Sequence, residues 1–463
     1  MSDVSTPSPA VERMRARIRL PRTLMGGTQA MRAAAQIYLP QEPAESTRAY
    51  RNRLNRSVLF NAFARTIAGL VGKVFRRPIG LGADMPEPVR ALVEDVDLAG
   101  RHLDVFGRDV LQAALVDGLT HILVDYPTTE PGLTLADERA LRLRPYFVHI
   151  RADQLIGFRT EHQAGRDVVT HVRYAESVTE PEGRFGEREV TQIRVIEPGR
   201  FEVWRQDDQG QWFVHDEGPT SMPEVPWVTI YAGARIGPFE AEPPLLDLAH
   251  LNVAHWQSAS DQRHILHVAR VPILFGSGFN DENEPDIFEI GPNRAITGPT
   301  GADLKYVEHS GAAMEAGRQD LLDLEARMAV VGADLLLKRP GVMTATQRIL
   351  DEGAADSQLA AIALEFQDGL ERAFGFAARW MGFGGDAGGS LSVNREFGTH
   401  LRDPSELDLL LRARLNGDIS HETFVRELIR RGVLPEDIDP ADEVERAESD
   451  MPPRPRDAPV PAH

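Results

Sequence analysis

Glu242-Pro243-Pro244-Leu245-Leu246-Asp247-Leu248-Ala249 opens the segment, 242 to 348, that decides how this chain folds. Proline is tolerated in a first helical turn because the amide it lacks would be unpaired there anyway, so a helix is expected to begin at Glu242. Leu245, Leu248, Ala249, Asn252, Val253, Trp256, Ala259, Ser260 and Arg263 follow at three-and-four spacing, a stripe that is apolar at its start and fades toward its end. Such a fade suits a helix projecting from a core. Pro272 and Gly276 stop it, and 271–275, 287–290 and 305–307 read as short strands between turn residues. A second helical stretch, 311–337, carries the stripe Met314, Leu321, Leu324, Met328, Val331 and Leu335, with Glu315, Asp320, Asp323 and Glu325 around its other faces. Two helices joined at their far end by a small β module make a hairpin, and its stripes are expected to find partners only in other copies of the chain.

The loop Lys338-Arg339-Pro340-Gly341-Val342-Met343 follows. Thr344 and Gln347 then read as the capping box of a long helix in which Leu359, Ile362, Phe366, Leu370 and Phe374 recur at helical spacing. The glycines from Gly382 to Gly389 end that helix, 391–394 is a short strand, and two further helices, about 404–415 and 420–431, flank Asn416-Gly417-Asp418. The Pro/Asp/Glu-rich end from Asp439 onward has the composition of a disordered tail.

Upstream of the hairpin the period changes. Residues 48–75 read as one helix with Leu54, Val58, Phe63, Ile67 and Leu70 on its apolar face, and 85–118 as another. From about Thr120 to Tyr231 the runs 121–126, 146–150, 168–174, 190–196, 201–204 and 211–215 cluster or alternate β-branched and aromatic residues, and Asp207-Asp208-Gln209-Gly210 reads as a hairpin turn. The fold class is α+β. Arg13, Arg15, Arg17, Arg19 and Arg22 follow a Ser/Pro-rich start; Asp3 and Glu12 weaken a transit-peptide reading, and no apolar region follows for secretion. An arm that orders where it packs on a neighbouring subunit is expected there.

At 463 residues the chain is long enough for about three domains. Its 42% hydrophobic content is ordinary for a globular protein, and no run approaches the roughly 20 apolar residues of a membrane span, so no membrane partner is expected. The absence of cysteine removes disulfides and thiolate metal sites. A net charge of -19 excludes a protein that grips duplex DNA over its whole surface, which needs a basic face. Acidic walls instead suit a conduit through which DNA slides, or simply a solvated surface that serves solubility.

Enzyme motifs fail one by one. The only Gly-Lys, Gly72-Lys73, precedes Val74 and lacks the upstream glycine of a phosphate-binding loop. Gly382, Gly384, Gly385, Gly388 and Gly389 follow a helix instead of a strand, which is the wrong context for a dinucleotide site. Asp261, His264 and His267 could share a helix face as metal ligands, but among Gln262 and Arg263 they fit a polar subunit interface better. His421-Glu422 lacks a second zinc histidine, and Gly276-Ser277-Gly278 is a turn, not a nucleophile elbow. No catalytic residue, metal or cofactor is assigned. A carboxylate-based hydrolase acting on a polymer is the alternative class, with acids in abundance and no spacing that selects a pair.

Several stretches together resemble one family, the portal proteins that connect head and tail in tailed bacteriophages. They are Tyr38-Leu39-Pro40 with Glu45-Ser46 and Tyr50, Arg65-Thr66-Ile67-Ala68-Gly69-Leu70-Val71-Gly72-Lys73-Val74-Phe75-Arg76-Arg77-Pro78, the GLTHILVDYP run from Gly118 to Pro127, Arg144-Pro145-Tyr146, Pro243 to Ala249, and Thr344-Ala345-Thr346. The likeness spans roughly 35–435, and its specificity lies in order and spacing. It implies an N-terminal arm (1–50), an α+β wing (51–241), a first stem helix (242–269), a clip (270–308), a second stem helix (309–337), a tunnel loop (338–345), a long helix and linker (346–389), a helical crown (390–440) and a disordered tail (441–463).

By the same resemblance the chain is a structural protein of the virion, a dodecameric ring at one capsid vertex through which double-stranded DNA is packaged and ejected. Implied partners are the terminase large subunit, the tail adaptor, and the major capsid and scaffolding proteins. Lys338, Arg339, Val342 and Met343 fall where the family narrows its tunnel, unless they form an ordinary helix connection. Glu315, Asp320, Asp323 and Glu325 fall where it lines the channel, and Asn280, Asp281, Glu282, Asn283 and Glu284 at the clip, where terminase and adaptor dock.

Overall fold

The computed structural model describes residues 3–127, 141, 143–163, 165–269, 273–277, 301, 303–307, 312–333, 357–384, 387–397, 404–430, 433–434 and 438–449. The chain divides into two compact units, Met1–Arg395 and Glu396–His463. It is an α+β protein.

At the centre of the first unit lies β2 (Leu119–Asp125), the middle strand of an antiparallel three-stranded sheet with β3 (Tyr146–Arg151) and β9 (Trp227–Tyr231). Leu119 to Val124 are buried without alternation, because both faces of the strand are covered. The face carrying Leu123 and Trp227 packs with Val172, Tyr174 and Ile196 of a second sheet. On the other side, helices α6 (Leu103–Asp117) and α9 (Gln358–Trp380) bring Phe106 and Phe374 against Phe147 at ring-centroid distances of 6.0 and 5.0 Å. Gly118 makes the turn from α6 into β2: its φ is +85°, and a Cβ there would lie 3.1 Å from the Glu242 backbone.

The second sheet is an antiparallel meander of β4 (Leu155–Gln163), β5 (Arg166–Glu182), β6 (Gly186–Glu197), β7 (Arg200–Gln206) and β8 (Trp212–Pro219). The turn expected at Asp207 to Gly210 joins β7 to β8. Asp207 Oδ1 accepts from the amides of Gln209 and Gln211, both at 2.9 Å, and Gly210 takes φ +76°.

Three expectations for residues 1–118 need correction. The arginine-rich N-terminus forms α1 (Pro9–Met25) and packs on its own chain, burying Val11, Met14, Ile18 and Leu24. Arg22 donates to both oxygens of Asp117, at 2.9 and 2.5 Å, and Arg13 and Arg17 pair with Glu240. The stretch is therefore not a free arm: Arg13, Arg17 and Arg22 bind carboxylates of the body, and Arg15 donates to the Asp153 and Leu155 carbonyls. Second, 48–75 is two helices, α3 (Thr47–Arg56) and α4 (Ala62–Val74), because Asn61 caps the second one by accepting from the Ala64 amide at 3.0 Å. Val58 falls in the break and is exposed instead of apolar core. Likewise 85–118 is interrupted: a short α5 (Glu87–Arg90) is separated from α6 by a turn in which Asp95 and Asp97 accept amides of Gly100 and Ala99.

The second unit contains α10 (Pro404–Asn416), α11 (His421–Arg430) and α12 (Pro440–Ser449). The first two match the expected helices. The third corrects the expectation of disorder over 440–449, since Asp439 caps it by accepting from the Ala441 amide at 2.8 Å; the remainder of the expected tail, 450–463, lies outside the described residues. Among the described helices none is long and apolar enough to cross a membrane.

Candidate functional site

The segment expected to form a hairpin does so. Helix α7 (Leu246–Ala269) leads to β12 (Ile273–Ser277), which pairs antiparallel with β13 (Asp303–Val307), and α8 (Ala312–Ala333) returns alongside α7. Helix α7 begins at Leu246 instead of Glu242 because Glu242 is still extended in β11 (Glu240–Glu242), paired to Ala234.

The apolar stripes do not wait for other copies, which corrects the reason given for assembly. Leu248, Ala249 and Trp256 on α7 and Met328 on α8 are at most 2% exposed within one chain. Asn252 docks α7 onto the body: Oδ1 accepts from the Phe63 amide at 3.0 Å, and Nδ2 donates to the Phe60 carbonyl at 2.8 Å. The polar far end of α7 is also engaged. Ser260 and Ser57 hydroxyls lie 2.8 Å apart, Arg263 donates to the Arg56 carbonyl, and Gln257 to that of Tyr38.

A second stripe of α7, His255, Ser258 and Gln262, faces α8. His255 Nε2 lies 3.3 Å from Glu325, Ser258 donates to Asp320 at 2.6 Å, and Gln262 donates to the Met314 carbonyl at 2.8 Å. Gly317 permits the last contact, since a Cβ there would meet Gln262 Oε1 at 2.1 Å. These residues were missed in the sequence, although their three-and-four spacing carried the signal.

The four carboxylates expected to line a channel therefore do not share one face. Asp320 and Glu325 are bonded to α7 across the hairpin seam. Glu315 pairs with Arg318, which holds its carboxyl below the usual range, and Asp323 accepts from Gln319 at 2.8 Å on the exposed side. Asp261 pairs with Arg53 at 3.6 Å, with burial pushing its carboxyl up, and His264 Nδ1 lies 3.4 Å from Arg56, so both face α3 of the same chain. No group of three or more His, Asp or Glu side chains among the described residues is arranged to hold a metal. Lys338, Arg339, Val342 and Met343, the strand expected at 287–290, the box at Thr344 and Gln347, and Asn280, Asp281, Glu282, Asn283 and Glu284 lie outside the described residues; the long helix is described from its Ser357 cap onward.

Among the described residues one surface of the hairpin stays open. On α8 the face turned away from α7 carries Leu322, Ala326, Ala329 and Val330, all exposed, with Leu322 at 44% and Val330 at 63%. Its last three turns are thus apolar on two opposite sides, only one of which is covered by described residues.

Residues 244–381, the hairpin and the helix after it, match a family described as a domain of unknown function, DUF4055. No curated protein matches the chain. Similar solved structures include a chain in the virion of a native gene transfer agent particle, 14% identical over 80% of this chain and 89% of that one, with a TM-score of 0.40. Others come from the neck of an empty particle computed with C6 symmetry (14%, 80% and 89%, 0.41) and the neck of a native particle computed with C12 symmetry (14%, 87% and 98%, 0.41). At that identity and score they carry no argument about function.

Proposed function

We propose that this chain is the subunit of a portal: a structural, non-enzymatic ring at one vertex of a virion, through which double-stranded DNA is packaged and later ejected. The observation that carries the reading is the hairpin α7–α8, tipped by the β12–β13 pair, whose returning helix keeps a second apolar face open. A repeated head-to-tail contact that closes covers such faces in every copy. The order of sequence stretches that resembles portal proteins supports the same reading and suggests twelve copies.

In this reading the β-tipped end of the hairpin, with Asn280 to Glu284, docks the terminase large subunit and then the tail adaptor, while the outer body meets capsid and scaffolding proteins. Exposed acids of α8 such as Asp323 and Glu315 face a hydrated channel, and Lys338, Arg339, Val342 and Met343 narrow it. Two basic residues per subunit make a positive collar in an acidic tube. Replacing Lys338 and Arg339 with alanine is expected to leave assembly intact and to change packaging yield or genome retention with salt. Unchanged packaging and retention across a range of salt in that double variant would remove the collar; absence of the wild-type chain from DNA-filled particles would remove the portal reading itself.

A further inference from the structure

Two free strand edges of the first unit answer each other, and one of them lies in a cleft. β3 is an edge strand, since the order of its sheet is β3-β2-β9. Its Phe147 amide donates outward to the Val96 carbonyl at 2.7 Å, and its Arg151 amide to Gln154 Oε1 at 2.9 Å. By the two-residue alternation of an antiparallel pair, the amide and carbonyl of His149 point outward as well. Among the described residues nothing meets them, nor the Phe147 carbonyl on the same side. Beside this edge a cleft of about 610 Å³ is walled by Gln112, Ala113 and Val116 of α6 and by Arg22 and Met25 of α1. Its guanidinium groups are already engaged, Arg22 with Asp117 and Asp153, and Arg101 with Asp97 and Asp109. What the cleft offers a partner is therefore backbone. An open strand edge beside a helix is the geometry in which an extended segment adds to a sheet.

The second free edge protrudes. β4 pairs with β5 only as far as Tyr174, and β7 pairs with β6 only from Ile193, whereas β5 and β6 stay paired out to Glu182 and Gly186. The rungs from Glu176–Gln192 to Glu182–Gly186 thus form a two-stranded arm, roughly 23 Å long at the usual rise per residue. Arg205 of β7 braces its base through Gln192 and Glu180, and Phe185 at its tip is 88% exposed. A two-stranded ribbon alone is marginally stable in water, so a third strand would support the arm. Its two edges differ. Along β6 the outer rungs carry Glu187, Arg188 and Glu189, charges that blunt an edge, while β5 presents the uncharged Ser177, Val178 and Thr179.

We infer that the arm of one copy enters the cleft of the next and adds its β5 edge to β3, with the His149 amide donating to an arm carbonyl and the Phe147 and His149 carbonyls accepting from arm amides. The occupant is a second copy because one chain carries both halves of the contact: a strand edge recessed in a cleft, which a broad sheet cannot reach, and a ribbon narrow enough to enter it. The two surfaces are different, so the contact is heterologous and propagates around a ring instead of stopping at a two-fold dimer. This rests on the ring reading and names surfaces that close it.

The chain contains no cysteine, so thiols placed in it report on their own positions alone. Gln112→Cys on the cleft wall and Thr179→Cys on the arm are both at exposed positions and keep the wild-type melting profile. Treated with a short bismaleimide at high micromolar concentration, the full chain carrying both thiols gives a ladder of multimers on a denaturing gel, and either single variant gives monomer. Ala113→Trp, which fills the cleft from a half-buried position of α6, raises the concentration at which the full chain assembles in sedimentation velocity by at least about tenfold. Wild type that sediments as an assembly while the double-thiol variant yields no ladder would overturn the arm as occupant and leave the ring standing. A cross-linked product of monomer mass would place the arm in its own cleft and overturn the contact equally. Assembly of the Ala113→Trp variant at the wild-type concentration would mean that the cleft takes something other than a second copy. A wild-type chain that stays monomeric throughout would bring down the ring reading and this contact with it.

Discussion

Ser258 of α7 donates a 2.6 Å hydrogen bond to Asp320 of α8 across 62 residues of sequence, and one turn away His255 meets Glu325. The two bonds flank the apolar seam where Met328 and Leu324 pack, so each fixes the register of the hairpin as well as its closure. Replacing either Ser258 or Asp320 with alanine is expected to lower stability by about 1 kcal/mol, the usual net worth of such a bond near solvent. Because both changes remove the same contact, the double variant should lose no more than about the larger single loss. Urea denaturation of the four proteins measures this, and strict additivity would show that the bond does not hold the hairpin.

A larger effect is expected at Arg22. Its partner Asp117 has a side chain only 1% exposed, and burial pushes that carboxyl up to about 6 even with the guanidinium on both oxygens. Arg22→Ala leaves the carboxyl buried and unpaired, with an expected loss of about 3 kcal/mol at neutral pH. A melting temperature within a degree of wild type would mean that α1 does not stabilise the body.

How stability depends on pH follows from two histidines of the central sheet, buried His121 and partly buried His149, and from buried Asp117 at the end of α6. His121 Nδ1 lies 3.0 Å from the Thr229 hydroxyl and accepts from Trp227 Nε1, and burial lowers its pKa from 6.5 to about 3; His149 is lowered to about 4 for the same reason. A histidine with a depressed folded-state pKa binds its proton more readily when unfolded, so its contribution is intact above pH 6.5 and lost as pH falls toward 4, on the order of 3 kcal/mol for each. Asp117 works the other way, because its raised pKa favours the folded state as pH falls from about 6 to 3.8. Two losses against one gain predict net acid destabilisation. Asp117→Asn removes the gain, so denaturation midpoints followed between pH 6 and 4 should fall more steeply in that variant than in wild type. A shallower fall would contradict the assignment.

The parts of this fold that could be read from sequence are those whose signal is local. The strands from Leu119 to Pro219 alternate or cluster apolar residues, the Asp207 turn carries its own cap and glycine, and Trp256 and Met328 sit at helical spacing. What escaped depends on contacts distant in sequence. Nothing near Arg22 announces Asp117, 95 residues on, so the arginines looked like a free arm. Val58 looked like core because a periodic pattern does not show that Asn61 caps a new helix. At the hairpin, carboxylate identity was legible but direction was not: Asp320 and Glu325 differ from Asp323 only in whether Ser258 or His255 stands opposite.

The most direct measurement is single-particle imaging of the purified full chain at high micromolar concentration. The expected result is a closed ring, hollow when viewed down its axis, with the hairpins of neighbouring copies side by side around the channel. A homogeneous field of monomers under the same conditions would contradict the proposal that the open face of α8 exists to be covered by another copy.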